Sequence, residues 1–157
     1  MIDQGHARLL ESGTCSLMVA TASAQGVPHL TRAWGARVLS GGTDLRVLVP
    51  SDDPVTLANL AATGAVAVTG ADVPTFASVQ CKGHALAVEP ATAGDRARFS
   101  RYRAELARSI NEVDGHPVEL VTRLAPADVV AVTARVEAMF DQTPGPAAGA
   151  PLPGAPS

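Results

Sequence analysis

Short strand-like runs separated by glycine turns fill the first half of the chain, and they restrict it to an antiparallel β architecture. Cys15 to Ala22 alternates small and apolar residues, Ala24-Gln-Gly26 turns the chain, and a second run follows from Pro28 to Leu39. Gly41-Gly-Thr-Asp44 makes the next turn, before Leu45-Arg-Val-Leu-Val49. Links this short join antiparallel neighbours, because parallel strands need a long crossover between them. A meander of short strands leaves exposed edges, and closure into a barrel removes them.

Helices interrupt the meander. Residues 3–12 read as a short helix stopped by Gly13. Asp53 is a good N-cap, with Pro54 at the first helical position, where its missing N–H costs nothing. Leu57, Leu60 and Ala61 give that helix one apolar side, and Gly64 closes it. A strand over 65–69 and a longer one over 76–89 follow. The longer strand carries Gln80, Lys82, His84, Leu86 and Val88 on one face and the small residues Val79, Cys81, Gly83, Ala85 and Ala87 on the other. Thr92 and Asp95 form a capping-box pattern at the start of the longest helix, over 93–113. Its apolar face is Phe99, Tyr102, Leu106, Ile110 and Val113. Pro117 to Leu124 reads as a short helix. Residues 128–140 read as a last strand with Val130, Val132, Ala134, Val136 and Phe140 inward. The expected fold is mainly β with flanking helices, a six-stranded antiparallel barrel in one domain over residues 1–141. Residues 142–157 are rich in Pro, Gly and Ala and are expected to be a disordered tail.

Composition narrows the function classes. The 157 residues are 46% hydrophobic and 17% charged, which is a globular balance. Aromatics are only 3%, so the core is built from alanine and valine and gains from burial against a subunit or ligand. A formal net charge of -3 argues against nucleic-acid binding by phosphate neutralisation. No apolar run approaches a membrane span. The N-terminus lacks the basic-then-apolar order of a signal peptide, which predicts a cytoplasmic protein. Cys15 and Cys81 sit in separate runs without metal spacing, so they read as buried thiols and no metal site is expected.

The run from Pro28 to Leu39 holds the only tryptophan, Trp34, and two arginines, Arg32 and Arg37. As one strand it would place Arg32 and Trp34 on one face and Arg37 on the other, unless a bulge near Gly35 realigns them. Neither face is cleanly apolar. Such a strand lines a ligand pocket or a subunit contact, or else is an edge strand with solvated arginines.

The order of these elements resembles the pyridoxamine 5′-phosphate oxidase-like, FMN-binding split-barrel family over about residues 5–141. The likeness is carried by Ala-Thr-Ala-Ser-Ala-Gln-Gly-Val-Pro-His (20–29), by Arg32 with Arg37, by Leu45-Arg-Val-Leu-Val-Pro-Ser followed by Leu57-Ala-Asn-Leu60 and Val66-Ala-Val, and by Gln80-Cys-Lys-Gly-His-Ala85. The resemblance implies a homodimer with FMN at the subunit interface and oxidoreductase chemistry on a small molecule. Carried onto this sequence, it implies cofactor contacts from Arg32, Trp34, Arg37, Val49, Ser51, Thr56, Ser78, Gln80 and Lys82, with no catalytic residue named. The chain departs from the family where the Asn59-Leu60 helix begins. Thr56 stands at the family's lysine position and Pro54 at its serine position, beside Asp52 and Asp53. The alternative on the same scaffold is a protein that binds coenzyme F420, haem or no cofactor, without turnover.

Overall fold

The computed structural model describes residues 1–153. Among these the elements run α1 (Gln4–Glu11), β1 (Cys15–Ala22), β2 (Pro28–Ala33), β3 (Ala36–Leu39), β4 (Asp44–Pro50), α2 (Pro54–Thr63), β5 (Ala65–Asp72), β6 (Ser78–Pro90), α3 (Ala93–Asp114), α4 (Val118–Arg123) and β7 (Val129–Asp141). A single 3₁₀ turn, Ser40–Gly42, links β3 to β4. The strands form one antiparallel sheet in the order β2-β1-β5-β6-β7-β4-β3.

The expected six strands are therefore seven, because the Pro28–Leu39 run breaks at Trp34-Gly35. Gly35 has φ +128°, a conformation that side-chain-bearing residues rarely adopt. The break lets β2 pair with β1 and β3 pair with β4, so the two halves of the run become opposite edges of the sheet. No ladder joins those edges, so the sheet stays open between them, as the split barrel implied by the family resemblance requires. The link still ties the edges to the sheet. Trp34 donates its N–H to the Leu48 carbonyl at 2.8 Å, and Leu48 donates back to the Gly35 carbonyl at 3.0 Å. A two-residue link between opposite edges requires the sheet to curl around its interior.

That interior is filled by small side chains. Leu17, Val19, Leu45, Val47, Val49, Val79 and Ala131 are fully buried, and Leu10 of α1 joins them. Phe99, Tyr102 and Leu106 of α3 add a further buried layer. Trp34 meets Phe99 edge-on, with ring centroids 6.2 Å apart at 84°. Tyr102 donates its hydroxyl to the Cys15 carbonyl at 2.5 Å, which pins α3 to β1.

A bulge resets the last strand. Lys82 faces Ala138 and Gly83 faces Val136, leaving Glu137 opposite neither. A Cβ at Gly83 would lie 1.8 Å from the Arg135 carbonyl, so the bulge needs glycine for close approach. The extra residue flips the alternation beyond it. Met139 is buried, and Phe140, expected inward, lies on the other side, with Lys82 Nζ 4.7 Å over its ring.

The expected caps form. Asp53 caps α2, and Thr92 and Asp95 bond reciprocally at the start of α3. Residues 142–153, within the expected tail, fold back beside the end of β7. Asp141 donates its N–H to the Ala150 carbonyl, and Leu152 donates its own to the Met139 carbonyl, both at 2.9 Å. The rest of that tail, residues 154–157, lies outside the described residues.

Candidate functional site

The end of β2 carries the site. Ala33 faces the interior and is fully buried, so alternation directs Arg32 to the other side, toward α3 and α4. Arg32 is half-buried, and its guanidinium donates to Ser16 Oγ at 3.0 Å. Among the described residues it has no carboxylate partner, so donors remain for a ligand. Arg46 is the opposite case. It bonds both oxygens of Asp95, Glu89 Oε2 and Thr133 Oγ1, which holds the Asp95 carboxyl far below the usual range. Arg46 ties β4 to the helix that follows β6, a structural task that leaves little for a ligand.

Two depressions meet at the wall made by Arg32 and Trp34. One, of about 390 Å³, adds Thr31, Pro50, Asp52 and Leu124. The other, of about 250 Å³, reaches under α4 to Leu106, Ile110 and Val121. Leu124, at the end of α4, borders both.

The α2 N-terminus behaves differently. Asp53 Oδ1 accepts the Thr56 N–H at 3.0 Å, and Oδ2 takes the Thr56 hydroxyl at 2.9 Å and His29 Nε2 at 3.1 Å. Partial burial opposes ionisation of this carboxyl. Hydrogen bonds from Thr56 and His29 outweigh it and hold the pKa down at about 2. The terminus that could receive a phosphate is thus occupied by the chain's own carboxylate, with Asp52 adjacent. A dianionic phosphate does not fit there.

The remaining expected contacts scatter. Arg37 is exposed on β3, opposite Arg46, at the far edge of the sheet from Arg32. Val49 is buried in the core, and Thr56 is buried against Asp53. Ser51 donates to the Asp128 carbonyl at 3.2 Å, Ser78 to the Phe76 carbonyl at 2.7 Å and Gln80 to Thr69 Oγ1 at 3.0 Å. Lys82 and His84 border a separate groove of about 400 Å³, where His84 pairs with Glu137 at 3.0 Å. The structure therefore brings Arg32 and Trp34 together at one wall and leaves Gln80 and Lys82 elsewhere on β6. Sequence reasoning missed Asp52 and Leu124 beside Arg32, and Val121 in the separate depression under α4. The exposed Leu120 and Leu124 on a short helix were the available signal.

No group of three or more His, Cys, Asp or Glu residues among the described residues is placed to hold a metal ion. No helix among them is long and apolar enough to cross a membrane.

No protein-family model matches the chain, and no curated protein matches it. Solved structures match it over most of its length. HupZ of Group A Streptococcus aligns with a TM-score of 0.57 at 19% identity, covering 95% of this chain and 100% of HupZ. A candidate pyridoxamine 5′-phosphate oxidase of Lactobacillus delbrueckii gives 0.55 at 17% identity, over 88% of this chain and 92% of its own. The chain has the pyridoxamine 5′-phosphate oxidase-like split-barrel fold. An F420 reductase shares it too, with a TM-score of 0.52 at 20% identity over 87% of this chain and 97% of the reductase. On this split barrel the open seam runs between β2 and β3, and the Arg32–Trp34 wall stands at its β2 side.

Proposed function

We propose that the protein binds a cofactor of the flavin or deazaflavin class in the depression beside Arg32 and acts as an oxidoreductase on a small molecule. The observation that carries this reading is the half-buried Arg32, without a carboxylate partner among the described residues, next to the chain's only tryptophan at a depression of about 390 Å³. A single guanidinium with spare donors suits one anionic end of such a ligand. Trp34, Pro50 and Leu124 supply apolar wall for a ring. The split-barrel likeness to a candidate pyridoxamine 5′-phosphate oxidase and to an F420 reductase supports the same class. FMN held through the α2 terminus is disfavoured by Asp53, so the anion belongs at Arg32.

A cofactor of this class supplies hydride transfer when bound, while the chain supplies placement, charge and exclusion of bulk water. Arg32 holds the anionic end, and its bond to Ser16 orients the guanidinium. Asp52 also lines the depression and disfavours a second anion there. We further propose a homodimer. Val27 and Leu30, 62% and 59% exposed, lie at the unpaired β2 edge, which a second copy would cover. Two buried cysteines without a disulfide fit a cytoplasmic protein. Ligand carriage without turnover is the second reading, favoured by the carboxylate at the α2 terminus.

The test adds FMN, coenzyme F420 and haem separately and records Trp34 fluorescence, absorbance and the melting temperature. A ligand at a hundred times its Kd stabilises by about 2.7 kcal/mol. Quenching of Trp34 with a raised melting temperature for FMN or F420 is the expected result. No response to either abandons the cofactor reading. Light scattering checks the dimer, and a monomer mass rejects it.

A further inference from the structure

We propose that the pocket beneath α4 is a second ligand site, for a short apolar monocarboxylate whose acid group pairs with Arg32. This goes beyond the cofactor reading and does not depend on it; because Arg32 lines both depressions, a carboxylate there would compete with a cofactor's anionic end for the same guanidinium. The pocket lies between β2, α3 and α4 and holds about 250 Å³, room for roughly eight water volumes at about 30 Å³ each. Trp34, Leu106, Ile110 and Val121 make its walls apolar. The polar side chains on its lining are Arg32 and, at the exposed mouth, His116.

That composition selects its occupant. A polar body would leave its own hydrogen-bonding groups unpaired against apolar walls, which is unfavourable. An apolar body loses nothing there. One fixed cation at the wall matches one negative charge, and a planar carboxylate can take two parallel bonds from a guanidinium. An apolar cation would meet Arg32 as a like charge. Arg32 lines both depressions, and among the described residues its guanidinium donates only to Ser16. The pocket is also preformed. Leu106 is fully buried, and Trp34 is 2% exposed and braced edge-on by Phe99, so the binding surface needs little ordering.

Hexanoate, 1-hexanol and hexylamine separate charge from shape. Calorimetric titration of the full chain should show hexanoate binding at least about tenfold tighter than hexanol, with hexylamine weakest, and hexanoate should perturb Trp34 fluorescence. Arg32→Gln should remove the preference for hexanoate over hexanol. Leu120→Glu, at a half-exposed position on α4, should weaken hexanoate through like charge while leaving the circular dichroism unchanged. Val121→Phe fills the pocket and should abolish hexanoate binding without altering the response to FMN or F420. Equal affinity for acid and alcohol, no binding of hexanoate, or hexanoate affinity unchanged in Val121→Phe each overturn the proposal. A null result with FMN and F420 alone strikes the cofactor reading and leaves this one standing.

Discussion

The α2 terminus and the Arg32 wall are both places where an anion could sit, and they have opposite fates. At α2 the helix start offers backbone N–H groups, yet Asp53 takes that of Thr56, with the Thr56 hydroxyl and His29 as further partners. At the end of β2 no helix dipole helps, yet Arg32 keeps donors in reserve because, among the described residues, only Ser16 engages it. A potential anion site remains one only while the chain's own carboxylates leave its donors unbonded.

The largest effect should come from the floor of the wall. Leu106 is fully buried, and Leu106→Ala should destabilise the protein by about 2–5 kcal/mol in urea unfolding. A much smaller loss would mean that the α3 side is loosely packed and the pocket not preformed. Arg32→Gln tests the wall itself. It should weaken an anionic flavin or deazaflavin by about 1.5–3 kcal/mol, the worth of hydrogen bonds to a charged group. Unchanged affinity would remove Arg32 from the site.

Asp53 tests the other half of the comparison. Asp53→Ala should cost about 0.5–2 kcal/mol by loss of the cap, whereas Asp53→Ser keeps a capping oxygen and removes the charge. If the carboxylate is what bars phosphate, the serine variant should bind FMN more tightly, by about 0.3–1 kcal/mol. The folded pKa of about 2 lies below the ordinary aspartate value of 3.8. Its stabilisation is therefore complete above pH 3.8 and is lost as the pH falls toward 2. Acid titration of Asp53→Ala should show a shallower loss across that window. A slope equal to the wild type would break the assignment. The smallest effect is expected at Arg37, exposed on the far edge. Arg37→Ala should change stability by less than about 0.5 kcal/mol and leave ligand affinity untouched.

Much of the fold was legible because the signals are short-ranged. Asp53 with Pro54, and Thr92 with Asp95, announced α2 and α3, since a cap is decided within four residues. Alternation placed Val79 and Cys81 inward on β6 for the same reason. Glycine at position 35 marked a weak point in the Pro28–Leu39 run. Nothing local revealed that one half would pair with β1 and the other with β4. The bulge at Glu137 was equally hidden, because it is set by the close approach of Gly83 on a different strand.

Among the expected site residues, Arg32 and Trp34 meet at one wall, while Arg37 is exposed on β3, beyond the Trp34–Gly35 link, and Gln80 and Lys82 make other contacts. Residue type and spacing decided which side chains carry charge and which segments become helix or strand, since those depend on nearest neighbours along the chain. Strand partners, the pairing of Asp53 with His29 and the arrival of α4 beside Arg32 depend on contacts between segments far apart in sequence. Only the curled sheet, with its two edges joined through Trp34 and Gly35, decided which arginine was left free to meet a ligand.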